Sequence, residues 1–203
     1  MFVDIYKLMF WSYLFIAIST LLPTIKKLLM GVELNPGGAS FEQCRHFSDK
    51  NKTLLSDHYS RLMGTLGFWK KRAEVYTSFH YYSITWTIFS AWAVPILASF
   101  SPTDASQSDY SKLLIVLVSG HVALAISFYK GLKVADGMKA FRHGESEFYD
   151  LYRRLLDRPK TLGNTEEEQI DNYFSEVERI RKLVRNAETE SLPTIENLQH
   201  NKN

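Results

Sequence analysis

One cysteine, Cys44, is all the thiol chemistry this 203-residue chain holds. No disulfide framework and no thiolate metal site can be built from it. Charge of one sign is lacking too. The formal net charge is +2, which does not mark a nucleic-acid partner. There is no internal repeat and no low-complexity tract. Catalytic signatures are also missing. The six histidines, His46, His58, His80, His121, His143 and His200, form no i,i+4 pair and no H-E-x-x-H. No Gly-rich phosphate loop and no Gly-x-Ser-x-Gly occurs. His143-Gly144-Glu145 matches the His-x-Glu piece of a zinc deaminase, but the Pro-Cys-x-x-Cys half is absent, so chance explains it better. The expectation is a protein that is not an enzyme, with no catalytic residue, metal or cofactor.

The most telling absence is charge inside two long apolar runs. Residues 79–100 and 113–129, 22 and 17 residues long, contain no Asp, Glu, Lys or Arg. As helices they reach roughly 33 and 25 Å, against a bilayer core about 30 Å thick. The link at 101–112 is short, so the second run must return beside the first. This predicts a transmembrane hairpin. Lys70, Lys71 and Arg72 precede it, and Lys130, Lys133, Lys139 and Arg142 follow it. The bias of Lys and Arg to the cytoplasmic side puts both long flanks in the cytoplasm and the link outside. Trp69, Tyr81, Tyr82, Tyr110 and Tyr129 fall near the expected interfaces, where amphipathic rings are favoured.

A third apolar run, 8–22, opens the chain. Asp4 beside Lys7 makes a poor signal-peptide n-region, and Lys26 and Lys27 follow the run. It reads as an uncleaved span or anchor with its N-terminus outside, the alternative being a cleaved signal peptide. The sequon Asn51-Lys52-Thr53 would then stay cytoplasmic and unglycosylated.

Outside these runs the apolar period is helical. Val134, Met138, Phe141, Phe148, Tyr152 and Leu155 share one face, and the second span is expected to continue as one helix to about Asp157. Pro159 and Gly163 mark a turn. Thr165-x-x-Glu168 is a capping box opening a helix whose stripe is Ile170, Tyr173, Phe174, Val177, Ile180 and Val184. Leu55, Tyr59, Leu62, Leu66 and Trp69 form a similar face before the first span. The expected fold is an all-α membrane protein: a two-helix transmembrane hairpin extending into a cytoplasmic helical bundle, with an extra N-terminal hydrophobic helix. The segments are an anchor and linker at 1–40, the spans at 79–100 and 113–129, bundle helices at 53–76, 130–157 and 165–190, and a disordered tail at 194–203.

Small residues recur at four-residue steps in both spans: Ser83, Thr87 and Ala91 in the first, Ser119, Ala123, Ser127 and Gly131 in the second. Such stripes let helices approach closely in lipid. They serve either to pack the two spans together or to join hairpins into a homo-oligomer. His121 lies roughly 200° around the helix from Ser119. An ionisable group at membrane depth is a candidate for a pore or gate, or a hydrogen-bonding partner of a neighbour. Pro95 is expected to kink the first span. Two spans cannot enclose a channel, so a pore would need an oligomer.

Taken in order, Phe68-Trp69-Lys70-Lys71-Arg72-Ala73, the tight hairpin, 147–155 (Glu-Phe-Tyr-Asp-Leu-Tyr-Arg-Arg-Leu), 176–181 (Glu-Val-Glu-Arg-Ile-Arg) and 188–193 (Glu-Thr-Glu-Ser-Leu-Pro) resemble the SLATT family, two-span effector modules associated with nucleotide-sensing conflict systems. The resemblance covers residues 50–193. It implies a membrane pore-former or perturber acting in defence or cell death, and a separate nucleotide-sensing or signalling protein as its trigger. It supplies no catalytic residues. The expected partners are the lipid bilayer, further copies of the chain and that sensor, and no nucleic acid. The alternative is a membrane scaffold that opens no pore and recruits a protein through its cytoplasmic bundle. A second, narrower stretch, 31–38 (Gly-Val-Glu-Leu-Asn-Pro-Gly-Gly), is similar to a 2A-type ribosome-skipping signal. Gly38 replaces the final Pro and Gly31 the usual Asp, so skipping should be lost or poor, and a Pro-Gly turn is the preferred reading.

Overall fold

A computed structural model describes residues 5–34, 40–100 and 105–191. The regular structure in these residues is entirely helical. Five α-helices follow one another: α1 (Ile5–Leu29), α2 (Asp49–Ser99), α3 (Ala105–Gly131), α4 (Val134–Asp157) and α5 (Glu166–Ser191). Short 3-10 turns at Phe41–Gln43 and Pro159–Thr161 join them. The expected disordered tail and part of the 31–38 motif lie outside the described residues.

The chain divides into two compact units. The first comprises Met1–Leu29 and Val75–Ala135, the second Met30–Glu74 and Asp136–Asn203. Helix α2, 51 residues long, is continuous and contributes to both. It thus joins the predicted 53–76 helix to the predicted first span without a break, and it stays helical through Pro95.

In the first unit, α1, the second half of α2, and α3 pack through a small centre formed by Tyr13, Ala17, Trp86, Leu114, Val118 and Val122. Two helices are long and apolar enough to cross a membrane: Ile5–Leu29 and, within α3, Asp109–Gly131. Only 11% of the first window and 28% of the second is buried, whereas a soluble core helix would be mostly buried. The hairpin's first span is expected at 79–100. That stretch is uncharged, but His80, Tyr81, Tyr82, Trp86 and its many hydroxyls dilute its apolar character, and it is not one of the two.

The second unit is built conventionally. Leu55, Leu62, Leu66 and Trp69 of α2 are buried, as are Phe141, Phe148, Leu155, Tyr173, Val177 and Val184, and ring contacts such as Tyr59–Phe148 and His58–Tyr173 join α2 to α4 and α5. Trp69, expected near an interface, is buried in this core. Phe41, Cys44 and Phe47, from the connection before α2, are buried as well. The Thr165 capping box forms as its pattern predicts. Glu168 N donates to Thr165 Oγ1 at 3.2 Å, and the Glu168 carboxylate accepts in return from Thr165 N at 3.4 Å and from Asn164 N at 2.8 Å. The Glu166 carboxylate accepts the Ser48 N–H at the start of α2, which holds its pKa below the usual carboxylate range.

One helix expected at 113–157 is two. The chain breaks at Leu132 and Lys133, and Lys133 takes φ 43°, the left-handed region. Gly131 weakens the helix just before the break. The N–H groups of Leu132 and Lys133 close back on Phe128 O and Lys130 O, satisfying the last carbonyls of α3.

Candidate functional site

Polar groups collect at the centre of the first unit. His121 on α3 bridges two tyrosines from two other helices. Its Nδ1 lies 2.6 Å from the Tyr13 hydroxyl of α1, and its Nε2 lies 2.6 Å from the Tyr82 hydroxyl of α2. A neutral imidazole has one N–H and one bare nitrogen, so it donates to one tyrosine and accepts from the other. Both ring nitrogens are thereby satisfied in an apolar setting, where an unmade hydrogen bond is costly. The Trp86 ring packs edge-on against His121 at 5.1 Å and against Tyr13 at 5.2 Å.

Helix α1 supplies more of these bonds. Trp86 Nε1 donates to Thr20 Oγ1 at 3.1 Å, Thr24 Oγ1 donates to Ser78 Oγ at 3.2 Å, and the Tyr6 hydroxyl donates to Phe100 O at 2.7 Å. The start of α1 thus lies by the end of α2, and its end by residue 78, so the two helices run antiparallel. A His80 Nδ1–Tyr129 hydroxyl bond at 2.7 Å joins α2 to α3.

The two small-residue stripes fare differently. Ser83 is buried, Thr87 half-buried and Ala91 exposed. Ser119, Ala123, Ser127 and Gly131 are all exposed, so α3 does not spend that stripe on packing within the chain. A shallow groove of about 850 Å³ between α1 and α2 is lined mostly by apolar side chains, with Tyr13, Tyr82 and Trp86 in its wall.

Sequence reasoning placed His121 at membrane depth but missed its partners. Tyr82 read as an interfacial ring. Tyr13, in the middle of the first apolar run, carries no motif. Its position was the available signal, because a tyrosine far from either interface needs a hydrogen-bond partner inside.

In the second unit, His143 and Glu145 border a cleft of about 540 Å³ with Lys70, Glu74, Arg142 and Tyr149. Burial pushes the Glu145 carboxyl above its usual range. Lys70 and Arg142 pull it down, Glu74 adds to the rise, and burial wins. Burial also pushes the Tyr149 hydroxyl up to about 12. Gly144, between His143 and Glu145, has a packing role: a Cβ there would overlap Cγ2 of Val184 and lie 3.4 Å from the Trp69 ring. Among the described residues, no group of three or more His, Cys, Asp or Glu side chains is placed to hold a metal ion.

No family model, no curated protein and no solved structure matches this chain.

Proposed function

We propose that this protein is an integral-membrane effector that oligomerises through its first unit and perturbs or permeabilises the bilayer when a partner engages its second. One observation carries the reading. The first unit turns its apolar side chains outward, centres its polar groups on His121, and leaves the Ser119–Ala123–Ser127 stripe of α3 uncovered. Lipid suits the apolar exterior, and small stripes in lipid favour helix–helix contact between copies. The unbroken α2 gives the second unit a mechanical route to the spans. In this reading α1 is a retained third span, because its Tyr13 and Thr20 complete the bonding of His121 and Trp86. The N-terminus and the α2–α3 connection then lie outside, and 40–76 and the chain after α3 lie in the cytoplasm, as the Lys and Arg flanks favour. The resemblance to SLATT effectors agrees with this, and a separate nucleotide-sensing or signalling protein would be the trigger.

Dye release from liposomes, run beside the oligomer size of the purified protein, tests the proposal. Leakage that falls with Ser119→Leu or Ala123→Leu is expected. Assembly in the bilayer without leakage would sink it.

The second reading, a scaffold that opens no pore, is favoured by the engagement of His121. Both its nitrogens are occupied within the chain, so it is not free to line an aqueous path. That reading expects the two leucine substitutions to be tolerated, and partner capture to persist in them.

A further inference from the structure

Between α2 and α5 in the second unit lies a cleft of about 340 Å³ whose walls carry more positive than negative charge. Within it, Glu178 and Lys182 close on each other at 3.0 Å and cancel. Arg181 and Arg185, one turn apart on α5, form no ion pair among the described residues. His58 of α2 completes the wall, with its ring against Phe174 at 4.5 Å. Its Nδ1 is buried and has no hydrogen-bond partner. Arg61, three residues further along α2, acts on the same imidazole as Arg181 does. Two guanidinium groups, Arg61 and Arg181, therefore act on His58, Arg185 lines the same cleft, and the one carboxylate in the wall is already taken.

We propose that this cleft binds a phosphate or pyrophosphate group, held by Arg181 and Arg185 with His58 as a further donor. Paired guanidiniums match the oxygens of a phosphate bidentately, and each such charge-assisted bond is among the strong ones. The volume suits a small headgroup rather than a length of peptide, since it lies at the lower end of the small-ligand range. The group can come from a soluble phosphorylated compound or from an anionic lipid headgroup, because the recognising chemistry is the same. The site is independent of whether the first unit opens a pore.

The test uses the full chain in phosphatidylcholine nanodiscs. Sodium pyrophosphate is titrated by calorimetry at constant ionic strength. In parallel, native mass spectrometry measures retention of phosphatidic acid over phosphatidylcholine. Saturable binding in either arm is expected, and the arm that responds identifies the source. Arg181→Gln with Arg185→Gln should weaken it by at least about tenfold, a loss of about 1.4 kcal/mol. His58→Gln should weaken it less and serves as the check if the double variant does not fold. Absence of saturable binding in both arms overturns the proposal. So does binding that is unchanged in a folded double variant, or in His58→Gln where the double variant does not fold.

Discussion

The two units distribute the same kinds of side chain in opposite ways. Of the large apolar residues left exposed among those described, all but Met30, Leu54, Met63, Phe68 and Leu183 belong to the first unit. The first unit keeps Ser83, Ser90, Ser111 and the His121–tyrosine bridge inside. The second buries Phe41, Phe148, Leu155 and Tyr173 and fully buries none of its described Asp, Glu, Lys or Arg side chains. The two halves of α2 thus carry different surfaces, an apolar one in the first unit and a polar one in the second. That contrast is the strongest physical argument that the first unit belongs in lipid. In water its exposed surface would be a large aggregation liability.

The contrast can be broken most sharply by truncating aromatic residues. Phe148→Ala should cost about 3–5 kcal/mol of stability in the second unit, as for other buried phenylalanines. Phe128→Ala, at a side chain 60% exposed on α3, should cost little. Chemical denaturation of the two variants in the same detergent checks this, and equal losses would erase the distinction. Charge insertion comes next. Val116, 68% exposed on α3, replaced by Arg should disfavour insertion by about 3 kcal/mol. The matching Leu183→Arg on α5 should stay within about 0.5 kcal/mol. Carbonate extraction of membranes reads the outcome, and an equally well anchored Val116→Arg would put the first unit in water.

Gly144→Val probes the close approach of α4 to Val184 and Trp69. It should cost about 1–3 kcal/mol through overpacking, seen as faster proteolysis of the second unit. His121→Phe should cost about 1 kcal/mol, the scale of interhelical hydrogen bonds in membranes. Once His121 is gone, Tyr13→Phe and Tyr82→Phe should add almost nothing, and a thermal-unfolding double-mutant cycle measures that coupling. The smallest effect belongs to Glu145. Its raised carboxyl holds more protons in the folded than in the unfolded chain. The folded state therefore loses stability as pH climbs from the ordinary carboxylate range through the raised value. Glu145→Gln should melt slightly higher than the parent at neutral pH, and the gain should vanish on acidification below that range.

Much of the fold was legible because it is written locally. The capping box at Thr165 and Glu168 and the stripe from Ile170 to Val184 place α5 within a residue of its observed start. The Leu55–Trp69 face lies on α2, as its period demands. The break at Lys133 was not legible, because a lysine in the left-handed region has no sequence signature and Gly131 hinted at it only weakly. The burial of Phe41 and Phe47 was also hidden, since a connection too short for a period gives no face to read. The candidate site was half legible. His121 stands out in an uncharged run, but Tyr13 is 108 residues away from it and Tyr82 is 39 away.

By itself the sequence determined where helices form, which stretches exclude charge, and which end of each apolar run is basic. These follow from backbone propensity and side-chain periodicity within a few turns. Only the tertiary structure decided which apolar faces are covered. An apolar stripe is satisfied equally by lipid or by another helix, and nothing in its period distinguishes them. It also decided that α1 completes the bonding of His121, that the small stripe of α3 stays open, and that Arg181 and Arg185 face His58 across a cleft. Each of these joins residues far apart in the chain, where local propensity carries no information and three-dimensional packing alone selects the partner.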